Sequence, residues 1–492
     1  MPTARRLDIS LTLDPSRARQ WHRALRNELT RRGHKVSLIF RSGAPKPPAA
    51  IGLVQALEQI AGRGRADGPS AAWDLANEVN GGTPQSPANL VIDVTGLPET
   101  HSAATTLRPV FGDALVEEAA AAALLERRVP QIGVVADSAP AMPRMATPAV
   151  EHPHLLSRSL DGIGARMTSL LAAAAEDIAA GRSVAGAQAI NVLDAQSWHR
   201  GLAAQAATHA ARLLLGYLLR RRPHWFVGWR RSADDRVQDT LRLPGGWTRL
   251  PDDGKRLYAD PFVATHEGRT WLFVEEVPYA TQKGILSVVE IGPEGPAGPP
   301  QPFLERPGHL SYPFVFARDG ALWMIPESSA EHTVDLYRAD AFPHRWTKVA
   351  TLIEGPQVGD ATVVEQDGRL FLFGTVGGEA ASTWDALHIW TAERLEGPWT
   401  ALSADPVLVD AQSARPAGAF FRRDGALWRP AQDCTTGYGA GLALCRVTRL
   451  DTEGFAQSVE AVLHPGAAWP GKGLHTLNWA GGIEVVDGCH AR

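Results

Sequence analysis

The sequence predicts two fold classes in one chain: an α/β domain with a parallel, Rossmann-like sheet, then an all-β five-bladed propeller. Three observations predict this. Strand and helix patterns alternate over about the first 200 residues. Of 15 tryptophans, only Trp21, Trp73 and Trp198 precede residue 222. Beyond that point a unit of strand, glycine turn and aromatic strand returns about every 50 residues, a period that belongs to propellers.

In the first part, residues 7–13 (LDISLTL) read as a strand and 15–32 as a helix, with Asp14 as N-cap and Gly33 as the stop. Residues 35–40 (KVSLIF) read as a strand and 48–61 as a helix. The run 89–94 (NLVIDV) is a strand that ends in Thr95-Gly96. Residues 114–127 follow as a helix and 131–136 (QIGVVA) as a strand. Strand, helix, strand with short links is the βαβ signature of a parallel sheet. Two more helices are expected at 161–180 and 197–220, the last closing on Arg220-Arg221-Arg222 before Pro223. The expected boundaries are an α/β domain over 1–195, a helical linker over 196–222 and a propeller over 223–492.

The repeats are 258–276 (YADPFVATHEGRTWLFVEE), 311–328 (SYPFVFARDGALWMIPES), 359–375 (GDATVVEQDGRLFLFGT) and 414–433 (ARPAGAFFRRDGALWRPAQD). Gly268, Gly320, Gly368 and Gly425 hold the same place in the turn, between strand patterns. A shorter fifth copy is 474–486 (LHTLNWAGGIEVV). The strand 225–230 (WFVGWR), ahead of the first repeat, is placed to complete the last blade and protect its open edge.

Residues at one offset of a propeller repeat converge on its axis. Here they are Asp260, Tyr312, Asp360, Arg415 and, in the fifth copy, His475. The ends of the next strands add Glu275, Glu276, Glu327 and Asp433. Adjacent residues on a strand face opposite ways, so one of Glu275 and Glu276 faces the pocket. Carboxylates across a sugar-sized gap suit glycosyl transfer, one protonating the leaving oxygen and one activating the attacking group. Like charges at close range split their pKa values and so divide those roles.

The segment YADPFV with its turn and aromatic strand resembles the first blade of the arabinofuranosidase and xylosidase family of five-bladed glycosidases. That resemblance implies Asp260 as general base and Asp360 as the positioning aspartate. The family's acid is a Glu from a middle blade, for which Glu327 is the nearest candidate. Over roughly 223–490, the segments FVEE, SYPFVF, WMIPES, GDAT and RPAGAFFRRDGALWRPAQD resemble the N-terminal propeller of glucosamine inositolphosphorylceramide transferases. This implies sugar or glycolipid chemistry; that family also carries a separate glycosyltransferase domain. The first 200 residues distantly resemble the formyltransferase fold, as a degenerate relative. That family's Asn, His and Asp triad places its His in a His-x-Ser segment, and the nearby pair here is His101-Ser102.

Composition narrows the class. Lys plus Arg is 49 against 53 Asp plus Glu, a net charge of −4, which excludes a general nucleic-acid binder. Cys434, Cys445 and Cys489 have no metal spacing, and their odd number argues against a disulfide framework. No secretory h-region or membrane-length apolar run is present. The glycines of GRGRADG (62–68) follow a helix pattern, not a strand, so they do not make a dinucleotide loop. No cofactor and no metal are expected.

The expectation is a cytoplasmic carbohydrate-active protein that performs inverting glycosyl transfer on a sugar, nucleotide-sugar or glycolipid headgroup. Asp260 acts as base or electrostatic partner, and Asp360 or Glu327 as acid. Tyr312, Arg415, His475, Glu276 and Asp433 hold the substrate. Three other readings stand beside it: phosphorolysis with Arg415, His475 and Lys472 on phosphate, a glycan-binding module without chemistry, and formyl or acyl transfer by the first domain.

Overall fold

A computed structural model describes residues 5–491, apart from 45, 66, 76–87, 98–104, 137–143, 183–201, 219–222, 233–234, 379 and 470. Two compact units emerge: Met1–Arg220 with Glu379–Ala381, and Arg221–Gly378 with Ser382–Arg492. Among the described residues no helix is long and apolar enough to cross a membrane.

Among the described residues the first unit holds six strands, β1 (Asp8–Leu13), β2 (Lys35–Phe40), β3 (Leu90–Asp93), β4 (Thr106–Phe111), β5 (Ile132–Ala136) and β6 (Arg144–Ala146), in the order 2-1-3-4-5-6. Its helices are α1 (Gln20–Arg31), α2 (Ala49–Ile60), α3 (Glu118–Leu125), α4 (Leu156–Ala179) and α5 (Leu202–Leu218). β1 pairs in parallel with β2 and β3, and β3 with β4. β5 and β6 run antiparallel to their neighbours. The sheet is therefore mixed, which corrects the parallel sheet expected from sequence. The chain leaves β4, makes the short α3 and returns to the same end: the Gly112 N–H donates to Gln131 O at 2.7 Å. From there β5 runs back along β4. β4 itself escaped notice because Arg108 and Pro109 interrupt its apolar pattern; Arg108 is buried with Nε 3.7 Å from Asp93 Oδ2.

Asp14 caps as expected, accepting the Ser16 N–H at 2.9 Å, but it caps a 3-10 turn (Pro15–Arg17) ahead of α1. α1 buries Trp21, Leu25 and Leu29 on one face, the stripe of an amphipathic helix. The buried Glu58 of α2 accepts the N–H groups of Leu156 (2.6 Å) and Ser157 (2.8 Å) at the start of α4. It also meets His209 Nε2 of α5 at 3.2 Å, within this unit. Gly68 of GRGRADG packs against Asp161, whose Cγ would lie 2.7 Å from a Cβ there; that glycine serves a close contact. His101 and Ser102 lie outside the described residues.

The second unit is a five-bladed propeller, one antiparallel sheet per blade. The inner two strands of the first four blades are Arg256–His266 and Arg269–Pro278, Ser311–Arg318 and Ala321–Ser328, Val358–Gln366 and Arg369–Val376, and Phe421–Arg423 and Ala426–Asp433. Their turns are alike. Glu267-Gly268, Asp319-Gly320, Asp367-Gly368 and Asp424-Gly425 all take positive φ at both residues, as does Gly481-Gly482 in the fifth blade. Two central residues at positive φ make a type I′ hairpin, whose twist matches that of the strands. The fifth blade combines Leu477–Ala480 and Ile483–Ala491 with Pro223–Arg231 and Thr248–Arg249. Trp229 pairs with Val485 and Phe226 with Gly488. The strand expected to close the ring does so.

Candidate functional site

Three repeat-equivalent residues share an unusual backbone. Asp260, Tyr312 and Asp360 have φ of 48°, 45° and 53°. In each blade the inner hairpin loses register at that point, between Phe273 and Glu275, Ser311 and Phe314, and Gly359 and Thr362. A bulge bends its strand and re-aims one side chain. A bulky residue in the left-handed region is strained by about 1–3 kcal/mol. The same device thus recurs three times.

Asp260 is enclosed. Its Oδ1 accepts the Thr476 hydroxyl at 2.9 Å and its Oδ2 the Tyr312 N–H at 3.2 Å. His475 Nε2 lies 3.7 Å from Oδ1, while His475 Nδ1 makes a short contact with Asp487 Oδ2. Asp487 also accepts the N–H groups of His475 and Thr476, each at 2.9 Å, and of Asp260 at 3.1 Å. Burial pushes Asp260 up to about 7; His475 pulls it down, while Glu275 and Asp487 push with the burial. For His475 burial opposes the charge, yet Asp487 and Asp260 outweigh it and raise the pKa.

A second network joins three blades. Arg415 donates from Nε to Asp360 Oδ2 at 2.7 Å, and from Nη2 to Asp360 Oδ1 at 3.2 Å and Glu327 Oε2 at 3.1 Å. Its Nη1 reaches Thr383 Oγ1 at 2.9 Å. Gln432 Nε2 donates to Asp360 Oδ2 at 2.6 Å, and the Asp360 N–H to Glu327 Oε2 at 3.0 Å. One guanidinium serves two carboxylates, so they divide unequally. Burial raises Asp360 well above the usual carboxylate range despite Arg415. Burial also opposes ionisation of Glu327, but Arg415 and the bonds to Asp360 and Ser329 bring it below its ordinary value.

Of the residues expected from sequence, Asp260 and His475 lie in the first network, and Asp360, Arg415 and Glu327 in the second. Three expected contacts need correction. Tyr312 is fully buried, and its hydroxyl is consumed by Thr362 Oγ1 at 2.9 Å and the Gly418 N–H at 2.7 Å. It is a pillar of the axis with no group left for substrate. Glu276 turns into its blade, bonded to Arg256 and to Ser287 Oγ at 2.7 Å. Its neighbour Glu275 is the one that faces the axis, beside His309 Nε2 at 2.7 Å. Asp433 caps a turn, accepting the Thr435 N–H at 3.0 Å and hydroxyl at 2.6 Å. The phosphate set also fails to assemble: Arg415 and His475 are committed to carboxylates, and Lys472 is exposed.

Asp487, Thr476, Gln432 and Tyr438 were missed. Tyr438 is half-buried and lies edge-on to His475 at 5.2 Å, with the Arg415 guanidinium 5.5 Å from its ring centre. Trp225 stacks on His475 at 4.0 Å, and Trp384 lies 5.3 Å from Tyr438. These three rings and Glu327 are half-buried and His309 is exposed, whereas Asp260, Asp360, Arg415 and His475 are buried. For Trp225 and Trp384 the sequence signal was the tryptophan excess itself.

Asp260, His475 and Asp487 place ligand atoms within 4.8 Å of one another, a spacing a cation can use. Every oxygen of the two carboxylates already accepts a hydrogen bond.

The fold and site define a five-bladed propeller with an acidic, aromatic-fronted axis. The family model for the N-terminal part of glucosamine inositolphosphorylceramide transferase 1 matches residues 252–481. Glucosamine inositolphosphorylceramide transferase 1 of Oryza sativa subsp. japonica is 30% identical over 244 residues, 47% of this chain and 33% of its own. The Arabidopsis thaliana protein is 30% identical over 244 residues, 47% of this chain and 32% of its own. The chain thus spans about a third of the length of these curated relatives. Among solved structures, a family 117 glycoside hydrolase of Zobellia galactanivorans is similar at 13% identity and a TM-score of 0.35, over 54% of this chain and 90% of that one. A family 43 glycoside hydrolase of Bacillus licheniformis is similar at 17% identity and a TM-score of 0.34, over 47% and 52%.

Proposed function

We propose that the propeller axis is a carbohydrate site and that it supports inverting glycosyl transfer at a sugar or glycolipid headgroup. One observation carries the reading: Arg415 bonds Glu327 and Asp360, while Asp260 is buried beside His475 and Asp487, so burial pushes Asp260 up to about 7 and Arg415 holds Glu327 below its ordinary value. Inversion at an anomeric carbon needs one carboxyl that gives a proton and one carboxylate that takes one. In this assignment Asp260 protonates the leaving oxygen as its bond to the anomeric carbon breaks. Glu327 takes the proton of the attacking hydroxyl as the new bond forms. Asp360 and Arg415 position Glu327, and the rings of Trp225, Trp384 and Tyr438 stack on the sugar. These roles reverse those expected from sequence. The similarity of residues 252–481 to glucosamine inositolphosphorylceramide transferases supports an inositol-phosphate headgroup as the substrate class.

A second reading, a glycan-binding module without chemistry, is favoured by burial: Asp260, Asp360 and Arg415 are only 3%, 1% and 5% exposed. The test incubates the protein with nucleotide sugars, inositol-phosphate acceptors and aryl glycosides, and reads products by mass spectrometry and binding by calorimetry. Turnover that Asp260→Asn abolishes while sugar binding persists supports transfer. Binding without turnover in both proteins supports the module. No sugar binding at all overturns both readings.

A further inference from the structure

Most carboxylate oxygens at the axis are spent. Both oxygens of Asp260 accept hydrogen bonds. So do both of Asp487, of Asp360 and of Glu327. The Arg415 guanidinium is spent too, with five bonds to Asp360, Glu327 and Thr383. Glu275 differs. It lies across its hairpin from Ala259, the neighbour of Asp260, and it accepts from His309 Nε2 through Oε1 at 2.7 Å. Among the described residues its Oε2 has no hydrogen-bond partner, and that oxygen is not sealed from solvent. The Glu275 side chain as a whole is 11% exposed.

His309, in the link ahead of Ser311–Arg318, holds this carboxylate in place. The Gly284 N–H donates to His309 Nδ1 at 2.9 Å, so the ring proton sits on Nε2 and faces Glu275. Only glycine leaves the ring its room, since a Cβ at 284 would lie 2.6 Å from His309 Nε2. A fixed carboxylate with one open oxygen is an acceptor waiting for a donor. Arg415 has no N–H left to hold an anion there. A neutral ring hydroxyl suits the position, and its bond to a charged acceptor is stronger than one between neutral groups.

We propose that Glu275 is the carboxylate that meets the sugar: its Oε2 accepts one ring hydroxyl, and His309 is the positioning residue that fixes it. This rests on the carbohydrate reading above and adds the residue that selects among sugars.

The test titrates the full chain by calorimetry with methyl glucopyranosides, methyl galactopyranosides and myo-inositol, and with monodeoxy derivatives of those that bind. In the wild type, loss of one particular hydroxyl is expected to weaken binding roughly ten- to a hundredfold. In Glu275→Ala, loss of that hydroxyl costs nothing further, while the penalties at other positions persist. Glu275→Gln keeps the side-chain shape, guards against a folding failure, and shrinks the same penalty. His309→Ala shrinks it in part, and His309→Gln, which keeps an N–H for Oε1, restores it. A parent sugar bound with the same deoxy penalties in wild type and both Glu275 variants overturns the assignment and leaves the carbohydrate reading standing. No sugar bound by the wild type overturns the carbohydrate reading and this assignment with it.

Discussion

Replacing Asp260 with Asn removes a titrating group from a sealed network and keeps its shape. The carboxylate accepts from both Thr476 and the Tyr312 N–H. An amide can accept only one of these, so one bond is lost at every pH, at about 1–3 kcal/mol. The wild type carries a different, pH-dependent cost. Its folded-state pKa of about 7 lies above the ordinary 3.8. The folded protein therefore holds the extra proton between those values, and stability falls as pH rises through that window. At 1.36 kcal/mol per pH unit the whole fall is about 4 kcal/mol, of which about 2–3 kcal/mol comes between pH 5 and pH 8. His475, raised above 6.5, also loses its contribution as pH rises through its raised value, in either protein. Urea denaturation of both proteins at pH 5, 6, 7 and 8 reads the difference. The variant is expected to gain about 2–3 kcal/mol on the wild type across that range. A relative stability constant to within about 1 kcal/mol refutes the placement of a near-neutral proton on Asp260.

Other changes probe the supports of the site. Arg415→Met leaves Asp360 and Glu327 without their shared cation and is expected to cost about 3–5 kcal/mol in urea denaturation; Arg415→Lys recovers only part, because an ammonium cannot reproduce the planar fork. Tyr312→Phe strands the Gly418 N–H, with an expected loss of about 1–3 kcal/mol in the same assay. Deleting residues 477–492 takes two strands from the closing blade; calorimetry is expected to show loss of the cooperative transition, with aggregation through the exposed edge. Trp384→Ala leaves the melting temperature near that of wild type and weakens sugar binding by about 0.5–1.5 kcal/mol, read by titration.

The propeller was legible because its turns and its bulges repeat. Type I′ hairpins require specific residues, so the glycines at 268, 320, 368 and 425 marked the blades. Asp260, Tyr312 and Asp360 share one offset and one backbone shape, so their convergence could be read without coordinates. What failed was parity. A bulge between Phe273 and Glu275 reverses which glutamate faces the axis. In the fourth blade Gln432, and not the adjacent Asp433, reaches Asp360. A one-residue slip turns every following side chain over, and alternation alone cannot register it. Asp487 was missed for another reason: it lies on the second strand of the closing blade, one residue beyond the shortened fifth copy (474–486). In the first unit, strand direction hung on β4, which Arg108 and Pro109 disguised.

The central claim is that a sugar sits against Trp225, Trp384 and Tyr438, above the proton held by Asp260. The most direct measurement is a crystal structure of the protein soaked with an inositol glycoside, with the Trp384→Ala variant soaked in parallel. The account predicts a sugar ring stacked on those aromatics in the wild type, its glycosidic oxygen toward Asp260 and a hydroxyl on Glu327, and the same ring at lower occupancy in the variant at the same soaking concentration. A sugar bound elsewhere, or bound equally with Trp384 removed, contradicts it.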